Sequence, residues 1–355
     1  MALLHDTFIF ILAGGSGERF WPLSRQRKPK HLLRLFSKKT LLEETIARFK
    51  GIIPPENLFI LTNKAQLQEL KAAIPEFPVK QIIIEPAKRD TGPATALATA
   101  IAYQKNPNAR IGLFPSDALI QGVPTFQKHL RDSLRLLEKE NAFITFSIPP
   151  RYPSTGFGYL EYGEPLPKGK EKTPFVKVSR FIEKPNLTTA KQYMESGKYG
   201  WNGGIFLWKA ATYLEESRRL IPEFASFIVE FPKSKKEIYL EKRFVKLPKI
   251  SIDYAIMEKA KRVIAAKTSF DWDDVGSWNA VQDHLGSDTD KNLFLGKVYS
   301  LDSHSNIVHA SSRAIALCGV DNLVVVETAD AILVCHRDKV QEIKKLHPQL
   351  PPELI

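Results

Sequence analysis

Residues 12–30, LAGGSGERFWPLSRQRKPK, are the part of the sequence whose residue types and spacing point most clearly to chemistry. They follow the apolar run Phe8–Leu12, so a buried strand is predicted to end where Gly14, Gly15 and Gly17 begin. Glycines there allow positive φ and a close backbone approach, and cations follow them at Arg19, Arg25, Arg27, Lys28 and Lys30. Backbone N–H groups with fixed cations suit a triphosphate, whose charge must be neutralised as a bond to phosphorus breaks. A tight turn with a solvated basic face is the alternative.

Two common phosphate loops do not match this segment. A Walker A loop requires Lys-Ser/Thr after its second glycine, but Glu18 and Arg19 follow Gly17. The dinucleotide fingerprint requires a third glycine where Phe20 stands, and Pro22 comes two residues later. The loop is therefore predicted to bind phosphate in a different way.

Carboxylates in two distant segments are candidates for a metal site. Asp117, in FPSDALI, comes just after a predicted central strand, where ligands of open α/β sheets bind, although it could instead cap a helix. Asp271, Asp273 and Asp274 crowd together in FDWDDVGSW. Carboxylates from both segments meeting at a phosphate would hold Mg²⁺, which prefers oxygen ligands. Spacing alone leaves that convergence open.

Two further motifs could bind a sugar. FIEKP places Glu183 and Lys184 side by side at a strand end, and WNGGIF combines Asn202 with two glycines. A strand-ending charge pair before a proline is the alternative for the first motif, and a turn or β-bulge is the alternative for the second.

The order of predicted elements indicates an α/β fold. Short β-rich runs at 8–12, 58–61, 81–84, 111–114 and 143–147 alternate with helical windows, which is typical of a mixed, mostly parallel sheet flanked by helices. One helix starts at a capping box, Thr40 with Glu43, and an Ala-rich helix at 91–104 is expected to pack closely on the sheet. We predict a catalytic domain at 1–287, with a nucleotide part at about 1–150 and a sugar-phosphate part at about 151–287. A small β-rich domain, ended by a charged helix at 338–346, follows at 288–355.

Composition limits the classes of partner. The net charge of +12 favours phosphate ligands, while the basic run 233–246 is expected to be a solvated helical face, so we predict no nucleic-acid partner. The two cysteines, Cys318 and Cys335, show no metal spacing and fit a reducing compartment. We find no signal peptide, membrane span or internal repeat, and expect a cytoplasmic protein without a membrane partner.

Taken in order, these motifs resemble the sugar-nucleotide pyrophosphorylases, a nucleotidyltransferase family, over essentially the whole chain. GERFWPLSR, RDTGPA and DVGSW are similar to the mannose-1-phosphate guanylyltransferase (GDP-mannose pyrophosphorylase) branch. The resemblance implies a Rossmann-like, glycosyltransferase-A-like sheet and an Mg²⁺-dependent transfer of GMP from GTP to mannose 1-phosphate. Longer relatives append an isomerase domain, which we do not expect here.

The resemblance also implies roles for matching residues. Arg19 and Lys30 would be catalytic, Arg19 facing the departing pyrophosphate and Lys30 the α-phosphate. Asp117 and Asp274 would hold the metal ion. The sugar phosphate would contact Gly158, Glu183, Lys184 and Asn202. The nucleotide would contact Leu12, Ala13, Gly14, Gly15, Gly17, Glu18, Arg19, Glu85, Arg89, Asp90, Thr91 and Pro115.

Two positions depart from the usual family pattern. Asp90 stands where the family usually has Asn, and it could accept from guanine or cap a helix; Gly203 stands where Ser is usual. The alternatives are a related transferase that uses UTP or dTTP with glucose 1-phosphate, a non-catalytic sugar-nucleotide-binding regulator, and a basic RNA-binding module. A homodimer through the C-terminal domain is a further expectation.

Overall fold

The computed structural model describes residues 4–167 and 169–355. Its strands are β1 Thr7–Leu12, β2 Leu58–Asn63, β3 Ile82–Glu85, β4 Arg110–Pro115, β5 Leu119–Gln121, β6 Phe143–Ile148, β7 Tyr159–Pro165, β8 Phe175–Ile182, β9 Tyr199–Lys209, β10 Val263–Lys267, β11 Asp271–Asp273, β12 Leu293–Leu295, β13 Val298–Leu301, β14 Ile307–Ala310, β15 Ile315–Cys318, β16 Leu323–Glu327 and β17 Ile332–His336. Its α-helices are α1 Leu41–Ala47, α2 Leu67–Ala73, α3 Thr91–Lys105, α4 Val123–Lys139, α5 Leu187–Ser196, α6 Ala210–Leu220, α7 Pro222–Val229, α8 Lys236–Arg243, α9 Trp278–Leu285 and α10 Ile343–Leu346. None of the helices in these residues is long and apolar enough to cross a membrane.

One mixed sheet of nine strands organises most of the chain, in the order β3-β2-β1-β4-β9-β6-β10-β8-β7. The strands from β3 to β4 pair in parallel, as does β6 with β10. The other pairings are antiparallel, including β9 with β4 and β6, and β8 with β10 and β7. The expected mixed sheet is confirmed, but parallel pairing dominates only its first half. The reason is that strands such as β7 and β8 follow each other without a crossover helix, and such neighbours pair antiparallel.

Both faces of the sheet are covered, as the alternation along β1 shows. Phe8 and Phe10 belong to the core cluster that contains α3 and α7, whereas Ile9 and Ile11 belong to the cluster that contains residues of α1 and α4. Because side chains alternate along a strand, a strand that is apolar throughout must be buried on both sides. This buried position fixes where β1 ends and the glycine-rich loop begins.

Two predicted helices are confirmed in detail. Thr40 caps α1 through a capping box, with its Oγ1 accepting from the N–H of Glu43 at 3.1 Å and the Glu43 carboxylate accepting from the N–H of Thr40 at 2.7 Å. The Ala-rich helix α3 is buried from Gly92 to Ala102. Its small residues allow a close approach, since a Cβ at Gly92 would lie 2.5 Å from the carbonyl oxygen of Ile250.

The C-terminal residues form short stacked strands. β12, β14 and β16 pair in parallel and in register, with Leu293, Ile307 and Val324 aligned, while β17 pairs antiparallel with β16. The single charged helix predicted at 338–346 is instead a 3₁₀ segment, Arg337–Glu342, followed by α10. Val340 and Ile343 are both buried, and their spacing of three residues matches a 3₁₀ period better than an α-helical one.

A third core cluster joins this C-terminal region to the glycine-rich loop. Phe20 and Trp21 of the loop pack in one cluster with Ile307, Val324 and Ile343. The indole N–H of Trp21 donates to the carbonyl oxygen of Leu354 at 2.8 Å. The loop is therefore held between the large sheet and the C-terminal strands.

Candidate active site

The loop after β1 is shaped by Gly17. This residue adopts φ 67° and ψ 33°, in the left-handed region that favours glycine. A Cβ there would lie 2.4 Å from the Cβ of Lys30, so the loop backbone packs directly against the stem of that lysine. The hydroxyl of Ser24 donates to the carbonyl oxygen of Gly17 at 2.7 Å, which fixes the turn.

A cavity of about 390 Å³ opens above this loop. Four separate segments line it: the glycine-rich loop with Lys30, the end of the β4 strand region, the turn after β11, and α10. The lining residues are Ser16, Gly17, Glu18, Arg19, Phe20, Lys30, Asp117, Asp274, Val275, Gly276 and Lys344. Arg19 lines the cavity, and its Nε atom is buried without a hydrogen-bond partner in the described residues.

Pairing of two short strands brings the distant carboxylates together. β5 and β11 are antiparallel, with Leu119 opposite Asp273, and Asp117 and Asp274 lie just outside this pair. The other two carboxylates of the segment are used elsewhere. Asp273 accepts from the N–H of Val275 at 2.6 Å, and Asp271 forms an ion pair with Arg151 at 2.7 Å. Asp274 is therefore the carboxylate of FDWDDVGSW that faces the cavity.

Lys30 contacts both of the segments that carry Asp117 and Asp274. Its Nζ lies 2.7 Å from Oδ2 of Asp117 and donates to the carbonyl oxygens of Asp274 at 2.5 Å and Val275 at 3.3 Å. Burial raises the pKa of Asp274 to about 6, opposed by the charge of Lys30 and assisted by Asp273 and Asp117. Burial likewise lowers the pKa of His31 to about 4, so the imidazole beside Lys30 is neutral.

These residues fit a magnesium ion that shares its coordination with a substrate. The described residues contain no cluster of three or more His, Cys, Asp or Glu side chains that would enclose a metal ion by themselves. Mg²⁺ is usually held by one or two carboxylates together with waters and substrate phosphates. Asp117 and Asp274 both line the cavity, so two carboxylates of the kind that such a site requires are present there.

Glu85 lies at the same edge of the sheet, at the end of β3. Its Oε1 is buried without a hydrogen-bond partner in the described part of the chain, and its Oε2 lies 3.8 Å from the position of a Cβ on Gly14. Burial raises the pKa of Glu85 to about 8. An unpartnered carboxyl beside the glycine-rich loop is a polar group that a ligand would satisfy.

The segment Arg89-Asp90-Thr91 makes contacts within the protein. Arg89 donates to the carbonyl oxygen of Val245, and the hydroxyl of Thr91 accepts from the N–H of Ile252 at 3.0 Å. Asp90, with φ 69°, accepts from the N–H of Thr91 at 2.7 Å and so caps α3. Of the two interpretations that the sequence left open for Asp90, this geometry matches the helix cap.

The four residues predicted to contact the sugar phosphate, Gly158, Glu183, Lys184 and Asn202, lie close together in the structure. A Cβ on Gly158 would lie 2.7 Å from Oε2 of Glu183 and 3.6 Å from Cβ of Asn202, so these three are neighbours. Lys184 forms an ion pair with Glu183 and adopts φ 46°, an uncommon backbone conformation that is enriched at functional sites. Because Gly158 has no Cβ, its backbone can pack directly against the Glu183 carboxylate.

Sequence reasoning missed Asp253, which contacts Asn202. Its Oδ1 accepts from the amide of Asn202 at 3.1 Å, while Oδ1 of Asn202 accepts from the hydroxyl of Thr145 at 2.9 Å. Burial and the charge of Glu183 raise the pKa of Asp253 to about 6. The signal was a polar pair, Ser251 and Asp253, within an otherwise apolar helical turn. Lys344 was missed as well, because nothing in its charged surroundings distinguishes it from Lys345.

Other residues predicted to contact the nucleotide lie at or just after the ends of β1 and β4. Leu12 and Pro115 are aligned partners at the ends of β1 and β4. The N–H of Ala13 donates to the carbonyl oxygen of Leu61 at 2.7 Å, and Glu18 accepts from the hydroxyl of Ser16 at 2.9 Å. The backbone therefore leaves β1 in a fixed direction towards the cavity.

Comparison with known proteins agrees with this geometry. A model described as "Nucleotidyl transferase" matches residues 9–291, and one described as "MannoseP isomerase/GMP-like beta-helix domain" matches residues 296–350. The mannose-1-phosphate guanylyltransferase of Klebsiella pneumoniae is 34% identical over 354 residues, which cover 94% of this chain and 72% of that protein. The enzyme of the same name from Salmonella montevideo is 35% identical, covering 95% and 72% of the two chains.

A solved structure is similar along nearly its whole length. The crystal structure of "mannose-1-phosphate geranyltransferase" from Thermus thermophilus superimposes with a TM-score of 0.86 at 33% identity, covering 97% of this chain and 99% of that one. The sheet with its glycine-rich loop and the match to the nucleotidyl transferase model together place this protein in the nucleotidyl transferase class of enzymes. Within that class, the chain belongs to the mannose-1-phosphate guanylyltransferase family.

Proposed function

We propose that this protein transfers GMP from GTP to α-D-mannose 1-phosphate, forming GDP-mannose and pyrophosphate. A phosphate oxygen of the sugar phosphate attacks the α-phosphorus of GTP, and the bond from that phosphorus to the pyrophosphate oxygen breaks in line. The observation that carries the proposal is the meeting of Arg19, Lys30, Asp117 and Asp274 at one cavity. The names of the relatives support the choice of sugar and base.

Catalysis in this proposal rests on position and charge. Lys30 is held by Asp117 and two backbone carbonyl groups, so its ammonium is fixed before substrate arrives. There it would face the α-phosphate, while Arg19, which lines the same cavity, would face the departing pyrophosphate. Prepositioned donors stabilise charge as it develops in the transition state, without reorganisation at the moment of reaction. No covalent intermediate on the protein is required.

Mg²⁺ is part of the proposal, with Asp117 and Asp274 as its protein ligands. A bound magnesium ion would neutralise phosphate charge and orient the triphosphate. Removal of divalent ions with EDTA is expected to abolish turnover, and added Mg²⁺ is expected to restore it. Full activity after exhaustive chelation would remove the metal from the proposal.

For base selection we propose Glu85. A carboxylate accepts from both the N1–H and the N2–H₂ of guanine, and adenine lacks that pair of donors. The buried and unpartnered Oε1 of Glu85 favours this residue over Asp90, whose carboxylate already caps a helix. Its raised pKa adds a consequence, because binding guanine to the carboxylate form must release the proton that the free enzyme holds at neutral pH.

Replacement of Glu85 by Gln tests the base assignment. The change keeps the shape but puts a donor where an acceptor is needed, and a lost bidentate contact to a base is worth about 1–3 kcal/mol of discrimination. We expect the preference for GTP over ATP, as a ratio of kcat/KM values, to fall by about 5- to 150-fold. An Asp90→Asn variant serves as the matched control. A preference that falls in D90N and not in E85Q would transfer the role to Asp90.

Sugar selection is proposed to involve Glu183, Lys184, Asn202 and the newly found Asp253. Glu183 and Asp253 are acceptors for sugar hydroxyl groups, and the Lys184 ammonium suits the sugar phosphate. Gly158 lets the backbone pack against the Glu183 carboxylate, which would help to hold that carboxylate in place for the sugar.

The overall reaction is tested by pyrophosphate release. GTP, ATP, UTP and dTTP are each combined with mannose 1-phosphate and with glucose 1-phosphate, at fixed Mg²⁺. We expect GTP with mannose 1-phosphate to give the highest kcat/KM. Preference for UTP or dTTP with glucose 1-phosphate would establish the related transferase instead. Binding of GDP-mannose without turnover of any pair would identify a regulator.

A cytoplasmic location and a homodimer complete the proposal. Both cysteines are free thiols, which suits a reducing compartment. In the proposed C-terminal domain at 288–355, Tyr299 and Leu301 of β13 are 66% and 62% exposed, an apolar surface that a second copy would cover. Light scattering coupled to size exclusion tests this, with Leu301→Glu expected to shift the dimer to monomer. A wild-type monomer at micromolar concentration would contradict it.

A further inference from the structure

Lys344 is a cavity residue from an unexpected part of the chain. It belongs to α10, after the C-terminal strands, yet it lines the same cavity as Arg19 and Lys30. Of the residues that line this cavity, it alone follows the C-terminal strands. The C-terminal region therefore contributes a cation to the phosphate site.

Packing of its neighbours fixes the position of Lys344. The adjacent Ile343 is buried in the core cluster that contains Phe20 and Trp21, the two aromatic residues directly after Arg19. An ion pair between Arg25 and Asp330 at 2.9 Å ties the loop to the C-terminal strands at a second place. Lys344 and Arg19 are thus carried by two segments that pack on each other.

The ammonium group of Lys344 differs from those of Lys30 and Lys345 in its ion pairing. Within residues 4–167 and 169–355 Lys344 has no ion-pair partner, whereas Lys30 lies 2.7 Å from Asp117 and Lys345 lies 3.7 Å from Glu342. A triphosphate entering the cavity brings more negative charge than Arg19 and the paired Lys30 neutralise. A free ammonium at the cavity is suited to the phosphates farthest from the attacked atom.

We propose that Lys344 binds the β- and γ-phosphates of GTP and the pyrophosphate product, so that the C-terminal region completes the pyrophosphate site. The inference rests on the proposed function above and extends it to a residue outside the catalytic domain predicted from the sequence. Lys344 acts on the leaving group and makes no contact with the sugar phosphate. Its loss is therefore expected to change pyrophosphate and GTP binding selectively.

The test compares Lys344→Ala with Lys345→Ala. The two lysines are adjacent and both exposed, but only Lys344 lines the cavity. In the reverse reaction, from GDP-mannose and pyrophosphate, we expect K344A to raise the KM for pyrophosphate about tenfold, and in the forward reaction to raise the KM for GTP similarly. The KM for mannose 1-phosphate and the thermal unfolding midpoint should stay unchanged. K344R should recover most of the loss, and K345A should match the wild type.

The outcomes separate this inference from the proposed function. A wild-type enzyme that turns over GTP and mannose 1-phosphate, with equal pyrophosphate KM values in K344A and K345A, would overturn the role of Lys344 alone. If the wild type turned over no substrate pair, the proposed function would fail. Calorimetric titration with pyrophosphate and Mg²⁺ would still test the role of Lys344. Weaker pyrophosphate binding by K344A than by K345A would support that role, and equal binding would refute it.

Discussion

Replacing Gly17 by alanine tests how the phosphate loop is built, because the change imposes two separate costs. The backbone at Gly17 has φ 67°, where alanine is strained. The new Cβ would also lie 2.4 Å from Cβ of Lys30 and 2.8 Å from its backbone nitrogen. Neither neighbour is the far end of a flexible side chain, so one of the two segments must move.

Each cost has a typical size. A left-handed backbone costs a non-glycine residue about 1–2 kcal/mol, and overpacking of a well-packed region costs about 1–3 kcal/mol. We therefore expect Gly17→Ala to lower the free energy of unfolding by about 2–5 kcal/mol. Gly197 has φ 65° with open space around it, so Gly197→Ala should show the backbone cost alone. Gly15, with neither feature, should tolerate alanine with little loss of stability.

Denaturant unfolding of the three variants, followed by circular dichroism, measures these differences. The difference between G17A and G197A isolates the contact with Lys30. Kinetics provide a second readout, because a loop displaced from Lys30 should lower kcat in G17A, while G197A lies outside the site. Equal losses of stability in G17A and G197A, with kcat intact, would show that the loop does not depend on close packing against Lys30.

Two further predictions concern charged groups of the site. Lys30→Met keeps the aliphatic part of the side chain that packs on Gly17 but removes the ammonium group. We expect kcat to fall about 10²-fold or more, with a smaller change in the KM for GTP. An unchanged kcat would show that Lys30 does not stabilise the transition state. Glu85 has an ordinary pKa of 4.5 that burial raises to about 8, so between these values the folded protein holds a proton that the unfolded chain has released. The free energy of unfolding of the ligand-free protein should therefore decrease as pH rises from about 4.5 to about 8. Denaturation across that range should show a shallower slope in E85Q, and identical slopes would contradict the burial of a protonated Glu85.

The elements that the sequence predicted well are those whose signals are local. The apolar run at Phe8 requires a strand buried on both faces, and the capping box at Thr40 fixes the start of α1 without help from distant residues. The glycine-rich loop follows from the same reasoning, since its glycines and cations are neighbours in the chain. Local chemistry was enough to predict a phosphate-binding loop, although not to say what surrounds it.

The two proposed metal ligands come together through a long-range contact that no local signal specifies. Asp117 and Asp274 meet because β5 and β11 pair, and each of these strands has only three residues. Strands this short carry little periodicity, so their partners cannot be read from pattern alone. Only the resemblance to a family linked the two carboxylates before the structure was known. The same limit explains why Asp253, in a π-helical turn, was missed.

The stacked C-terminal strands escaped detection as a repeat for a related reason. Leu293, Ile307 and Val324 occupy equivalent positions in successive parallel strands, but the connections between these strands differ in length. A search for a fixed period fails when the number of residues between equivalent positions varies from one strand to the next. Stacking of these strands requires only that each strand contributes an apolar side chain to the shared core.

The glycine-rich loop carries charged residues that line the cavity and aromatic residues that are buried. Arg19 and Lys30 face the cavity, where they would be useless for catalysis if they moved freely. Phe20 and Trp21 pack in one core cluster with residues of the C-terminal strands, and this burial holds the loop in place. A loop ordered before GTP arrives does not require binding energy to order it, and fixed charges stabilise a transition state better than mobile ones. The C-terminal region would therefore support the proposed reaction in two ways, through the packing of its strands on the loop that carries Arg19 and through the proposed role of Lys344 in α10.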